Sequence, residues 1–167
     1  MAQPRPVDLD TINLVKCFEG IPGLAVGDIH PYMDPVGIWT IGWGHAISVD
    51  GQFLRGSTNL NRVKALYPDG ISLNQADALL ATDLMQAGSG VLSVVTVALN
   101  NFQYGALSSF VMNLGLANLR SSTLLKEINA NQMQAAANQF PRWCYAQGKF
   151  LKGLLDRRNA ERALFLK

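Results

Sequence analysis

The chain carries three glutamates, Glu19, Glu127 and Glu161, and the first stands apart from the others. Glu19 follows Cys17-Phe18 at the C-terminal end of a stretch that reads as a helix. The negative end of a helix dipole disfavours an ionised carboxylate there, and so do apolar neighbours. A carboxyl kept in its acid form near neutral pH is what a general acid requires. The plainer alternative is a surface glutamate at a helix end. Asp34 lies in Pro31-Tyr32-Met33-Asp34-Pro35, just before a turn at Val36-Gly37. Such a polar turn keeps an aspartate ionised, although it also suits an aspartate that merely caps its own backbone. Taken together, one carboxyl held protonated and one held ionised is the division of labour of glycoside hydrolysis.

Thr40 completes the candidate set. It alternates with large apolar residues in Trp39-Thr40-Ile41-Gly42-Trp43-Gly44, a strand-like pattern. If the strand ran on to Gly44, then Thr40, Gly42 and Gly44 would share one small face open to a ligand or a water. Trp39, Ile41 and Trp43 would pack on the other. Glu127 and Glu161 read differently, as solvated helix charges with local ion pairs, Glu161 with Arg157 or Arg158. His45 is a lone histidine with no cluster of His, Cys or carboxylates at metal-ligand spacing, and His30 is no partner for it. No metal and no cofactor are therefore expected. Cys17 and Cys144 lie far apart and are expected to be free thiols.

The elements that must carry these residues can be read coarsely. A helix is predicted over Leu9–Phe18, with Asp8 or Asp10 as N-cap and Gly20 and Pro22 ending it. Residues 31–56 are predicted to be short strands and turns, with Asp50-Gly51 as a hairpin turn. Ser72 and Gln75 make a capping box for a helix that Gly88-Ser89-Gly90 should interrupt. From there to Lys167 the pattern reads helical, with breaks near Gly115, Arg120, Asn131, Pro141 and Gly148, and Ser122 capping Leu124–Ile128. The expected fold class is α+β, mostly helical, in a single domain over residues 1–167. Its small lobe would span about 8–70, a connecting helix would start at about 72, and a helical lobe would run to 167. A cleft between such lobes is a natural substrate site.

Composition narrows the function classes. The 167 residues are 49% hydrophobic and 16% charged, which excludes a disordered chain. A net charge of +2 is too mild to call for nucleic acid. No charged residue lies between Asp83 and Arg120, but Gln86, Asn100, Asn101, Gln103 and Asn113 break any membrane span there. The N-terminal residues show no signal peptide, so synthesis and retention in the cytoplasm are expected. Residues 142–167 hold seven Lys and Arg against Asp156 and Glu161, a net of +5. That suits an anionic surface as a partner, or simply a solvated helix with basic residues near its end. A monomer is expected. Trp39, Trp43 and Trp143 could stack on sugars, although packing is the commoner use.

Read in order, the motifs are Phe18-Glu19-Gly20, Tyr32-Met33-Asp34 and Gly37-Ile38-Trp39-Thr40-Ile41-Gly42-Trp43-Gly44-His45. Further along come Gln103-Tyr104-Gly105-Ala106-Leu107, Asn113-Leu114-Gly115, Ser122-Thr123-Leu124-Leu125, Phe140-Pro141-Arg142-Trp143 and Arg157-Arg158-Asn159-Ala160-Glu161-Arg162. This series resembles the bacteriophage-type lysozymes, the endolysins of glycoside hydrolase family 24, over almost the whole chain. The resemblance implies a lysozyme-like two-lobed fold. It implies a muramidase that hydrolyses the β-1,4 bond between N-acetylmuramic acid and N-acetylglucosamine in peptidoglycan and lyses the host cell. Glu19 would be the general acid, Asp34 the second carboxylate, and Thr40 the residue that positions the attacking water. Asn113 falls where the family has a polar cleft residue, a weaker substrate contact. His45 would form a structural ion pair with Asp83, so that folding weakens in acid. The segment Ile21–His30 makes the Glu19-to-Asp34 spacing longer than the family's, and a longer loop is expected there.

The resemblance favours an inverting reaction. A lytic transglycosylase would cut the same bond with one carboxyl and no water, so Asp34 and Thr40 favour hydrolysis. A non-catalytic wall-binding module would be expected to have lost Glu19 or Asp34. A basic C-terminal helix active on membranes is a third alternative. Without a leader, passage through a separately made pore, a holin, is expected.

Overall fold

The computed structural model describes residues 3–22, 24 and 28–167. Residues 23 and 25–27 of the expected long loop over Ile21–His30 therefore fall outside the described residues. The chain divides into two compact units, one formed by Glu19–Thr82 and the other by the residues up to Phe18 together with Asp83–Lys167.

The first unit carries most of the strands. β1 (Tyr32–Met33), β2 (Trp39–Ile41) and β3 (His45–Ala46) form an antiparallel sheet in that order. β4 (Ser48–Val49) and β5 (Gln52–Phe53) form a hairpin. Asp50-Gly51 turns it as predicted, with positive φ of 52° and 75° at the two positions, the primed geometry that matches strand twist. A 3-10 turn at Ser57–Asn59 and helix α2 (Leu60–Leu66) follow; neither was read from the sequence. Ile29, Trp39, Ile41, Trp43, Ile47, Leu54, Val63 and Ile71 are buried and supply this unit's apolar interior.

Helix α3 (Leu73–Val94) starts at the predicted capping box. The Ser72 N–H donates to Gln75 Oε1 at 2.8 Å, and the Gln75 N–H donates to Ser72 Oγ at 3.3 Å. Contrary to expectation, Gly88-Ser89-Gly90 does not interrupt α3. Glycine costs an exposed helix about 1 kcal/mol relative to alanine, but packing overrides that here. A Cβ at Gly88 would overlap the hydroxyl of Tyr104, a side chain that is completely buried. The glycine makes room for the ring.

The second unit is helical. It contains α1 (Leu9–Glu19) up to Phe18, the end of α3, α4 (Asn101–Leu114), α5 (Leu116–Arg120), α6 (Thr123–Asn129), α7 (Met133–Ala137) and α8 (Lys152–Phe165). The division thus groups α1 with the helices and not with a small lobe over about 8–70. Thr11 of α1 is fully buried against Gly105 of α4, where any Cβ would collide with its hydroxyl. Lys167 also holds Asp10 at 2.8 Å. Ser122 caps α6 as predicted, its Oγ accepting the Leu125 N–H at 3.0 Å. The uncharged stretch after Asp83 is core: Leu107, Phe110 and Val111 of α4 join Val91, Leu124, Ile128, Phe140, Leu164 and Phe165 in one apolar cluster. Among the described residues no helix is long and apolar enough to cross a membrane.

Two expectations for the C-terminal part fail. Residues 145–150 form a hairpin, β6 (Tyr145–Ala146) with β7 (Lys149–Phe150), where helix was expected. Glu161 is also not on a solvated face. It is fully buried, with Arg158 at 2.8 Å, Arg157 at 3.4 Å and the Ser109 hydroxyl donating to it at 2.7 Å. Burial pushes its carboxyl up, while Arg158, Arg157 and the Ser109 hydrogen bond pull it back down. Charged residues at i, i+3 and i+4 can face inward when they neutralise one another, so a charge-laced helix need not be a surface helix.

Candidate active site

Glu19 ends α1, and its carboxylate lies against the backbone of Gly44. A Cβ on Gly44 would stand 2.8 Å from Glu19 Oε2 and 3.2 Å from Cδ. Gly44 also has φ of +89°, a region that side chains rarely adopt. The expectation of a strand running on to Gly44 is therefore corrected. β2 stops at Ile41, and residues 42–44 are a turn in which Gly42 and Gly44 both have positive φ. The glycines bring backbone close to Ala76 and to Glu19 instead of opening a sheet face.

Asp34 is wired into the turn between β1 and β2. Its Oδ1 accepts the N–H of Val36 at 3.0 Å and of Ile38 at 2.7 Å. Its own N–H donates to Ile38 O at 2.9 Å, and its carbonyl accepts the Gly37 N–H at 3.0 Å. The plainer reading of Asp34 is thus present in full, but it uses only Oδ1. Oδ2 takes no part in the turn. Two backbone donors on one oxygen also fix the direction of the carboxylate.

Thr40 stands on β2 opposite Tyr32 of β1. Its hydroxyl donates to Ile38 O at 3.3 Å, the carbonyl that also receives the Asp34 N–H. One residue's backbone therefore holds both Asp34 and Thr40. Thr40 is only 4% exposed, so it is not on the open face that strict alternation suggested.

Tyr32 ties these residues together. Its phenol is half-buried and is pushed above its ordinary value of 10.0. Burial is the main cause, followed by the negative charge of Glu19 and then that of Asp34. Both carboxylates thus act on one phenol whose ladder partner is Thr40. Glu19, Tyr32, Asp34 and Thr40 all belong to the unit Glu19–Thr82. Tyr32 was read only as part of the Tyr-x-Asp motif; what singles it out is its position between two acids that lie far apart in sequence.

The other candidates have separate places. Trp39 donates its ring N–H to Gly56 O at 2.9 Å, and Trp43 donates to Asp77 Oδ1 at 2.7 Å, so both indoles hold structure. Trp143 packs edge-on to Phe110 at 5.4 Å. Asn113 is exposed in the last turn of α4, in the helical unit. His45 opens β3 opposite Ile41, and Asp83 lies within α3. Cys17 is exposed and Cys144 is buried, and both are free thiols. Among the described residues no group of His, Cys, Asp and Glu is arranged to hold a metal.

An acid at a helix end, a second carboxylate in a strand turn and a hydroxyl beside it are the parts that glycoside hydrolysis uses. Residues 18–161 match the phage lysozyme family. The chain belongs to that family. It is 37% identical over 156 residues to an endolysin of Bacillus phage B103, covering 93% of this chain and 52% of that protein. It thus spans about half the length of that relative. A SAR-endolysin of Bacteriophage PS119 is 35% identical over 147 residues, 88% of this chain and 79% of that protein. Among solved structures, a mutant of P22 lysozyme is 34% identical, with a TM-score of 0.74 and full coverage of both chains. The chain is a lysozyme-type hydrolase of the endolysin class, with the α+β, mostly helical fold of phage lysozymes.

Proposed function

We propose that this phage lysozyme hydrolyses the β-1,4 bond between N-acetylmuramic acid and N-acetylglucosamine in bacterial peptidoglycan, with Glu19 as general acid. The observation that carries this reading is the packing of the Glu19 carboxylate on Gly44, which holds the acid at one spot within the unit that also carries Asp34 and Thr40. Glu19 protonates the glycosidic oxygen as the bond breaks. Asp34, oriented through Oδ1, keeps Oδ2 to activate water or to stabilise positive charge developing on the sugar. Thr40 orients the attacking water.

Digestion of purified peptidoglycan with the parent and with Glu19→Gln, followed by mass spectrometry of the product ends, tests this reading. Reducing muramic ends from the parent alone are expected. Anhydro ends from the parent would assign a lytic transglycosylase instead, leaving Asp34 and Thr40 without a water to activate. No release by a folded parent would leave a non-catalytic wall-binding module.

Two finer points belong to the same reading. The chain acts as a monomer, which sedimentation equilibrium measures. It reaches the wall from the host cytoplasm through a holin pore, which a lysis assay with and without a co-expressed holin tests.

A further inference from the structure

The hairpin β6–β7 has no role in the reading above, and the fold itself gives no reason for its composition. Every residue from Tyr145 to Gly153 is exposed. A two-stranded hairpin open to water on both faces is marginal on its own and gains nothing from displaying large apolar groups. Yet Tyr145 is 62% exposed, Phe150 51% and Leu151 44%. Tyr145 and Phe150 are direct ladder partners, with rings edge-on at 5.9 Å, so they form one apolar face. The Leu151 N–H donates to the carbonyl of buried Cys144 at 2.9 Å, which anchors the base of the hairpin. At its tip, Gln147 and Gly148 have positive φ of 50° and 75° and make a tight turn.

The stretch of chain that carries this face has charge of one sign. No Asp or Glu occurs between Glu127 and Asp156, whereas Arg142, Lys149 and Lys152 fall in that stretch. Lys152 holds Asp156 at 2.6 Å, and Arg142 donates to Gln139 at 3.3 Å. The excess is therefore two positive charges, flanking exposed aromatic and aliphatic side chains. Helix α8 offers less charge for this part, because two of its basic residues, Arg157 and Arg158, are buried with Glu161.

We propose that the β6–β7 hairpin docks this chain on an anionic phospholipid bilayer, with Tyr145, Phe150 and Leu151 entering the interface and Lys149 and Arg142 facing the headgroups. Aromatic rings favour the headgroup level, and basic residues beside them are drawn to anionic lipid. A glycan platform would use a ring beside hydrogen-bonding groups; Phe150 and Leu151 offer only apolar surface. This proposal is independent of the hydrolytic reading, since binding to lipid and cleavage of solubilised peptidoglycan are measured separately.

The test is co-sedimentation of the full chain with vesicles of phosphatidylglycerol and phosphatidylethanolamine, against vesicles of phosphatidylcholine. Binding to the anionic vesicles alone, weakened by salt, is expected. The double variant Tyr145→Ser with Phe150→Ser should lower partitioning by about tenfold or more, and Lys149→Gln by several-fold, with thermal midpoints and cleavage of soluble fragments unchanged. Phe150→Trp provides a second readout that keeps the apolar face. Its emission, taken as the difference from the parent, should shift to the blue on anionic vesicles. Absence of parental binding, equal binding by the double variant, or an unshifted tryptophan would overturn the proposal. So would loss of binding to purified sacculi in the double variant without any vesicle binding, which would assign the hairpin to the glycan.

Discussion

The Glu19 carboxylate occupies the space that a side chain at Gly44 would need: a Cβ there would lie 2.8 Å from Oε2. Gly44→Ala must therefore displace the acid and also strain a backbone at φ +89°. A shift of about 1 Å at a reacting group can cost about 10²-fold in rate. We expect kcat to fall by about that factor while KM changes little, and the melting temperature to drop modestly. Steady-state kinetics on a soluble glycan, with a thermal melt of the same sample, checks it. Unchanged kcat would mean that Gly44 does not set the position of Glu19.

Asp34 combines a structural oxygen with one outside the turn, and two substitutions separate the roles. Asp34→Asn keeps an acceptor for the Val36 and Ile38 N–H groups and removes the charge. Its stability should stay near that of the parent while activity falls by about 10²–10⁴-fold. Asp34→Ala loses the same activity and also the two turn hydrogen bonds, which contribute about 1–3 kcal/mol together. Urea denaturation beside the rate assay distinguishes them. If Asp34→Asn retained full activity, the carboxylate would be only a turn cap.

The phenol of Tyr32 reports on both acids. Its value in the folded chain is raised above 10.0, so the folded state holds the proton longer than the unfolded chain does. The stability it contributes is complete below about pH 10 and is lost as pH rises through the raised value. Tyr32→Phe should remove that part of the alkaline fall, seen as a difference between the two chains in denaturation midpoint against pH. Ultraviolet titration gives a second measure. Removing the charge at position 19 with Glu19→Gln should bring the Tyr32 titration down, but not fully to 10.0, because burial is the larger cause.

The Glu161 carboxylate is shared by Arg157, Arg158 and Ser109 in the interior of the helical unit. Glu161→Ala leaves two buried guanidinium groups without their counter-charge, at a cost of about 3–5 kcal/mol. Ser109→Ala should cost only about 1 kcal/mol. Chemical denaturation at neutral pH measures both, and equal effects would mean that the carboxylate is not what balances the arginines.

Much of the candidate site was legible because its signals are local. Glu19 after an apolar helix end, Asp34 in a Pro-bounded turn and Thr40 on the next strand each stand in a short, interpretable context. The Ser72–Gln75 box, the Asp50-Gly51 turn and the Ser122 cap are likewise made of bonds that span at most a few residues. A break near Gly148 was expected, but the hairpin around it was not, because glutamine is an unusual residue at positive φ and the turn pattern was weak.

What tertiary structure decided depends on partners distant in sequence. Gly88 and Gly90 look like helix breakers until the buried ring of Tyr104 is set against Gly88. Gly42 and Gly44 look like a strand face until Ala76 and Glu19 are found filling the space that side chains there would need. Tyr32 acquires its role only when two acids on different elements act on one half-buried phenol. Backbone propensity and capping are set by neighbours along the chain, so sequence alone determined them. Close approach, burial of charge and electrostatic coupling depend on distances in space, which exist only once the chain has folded.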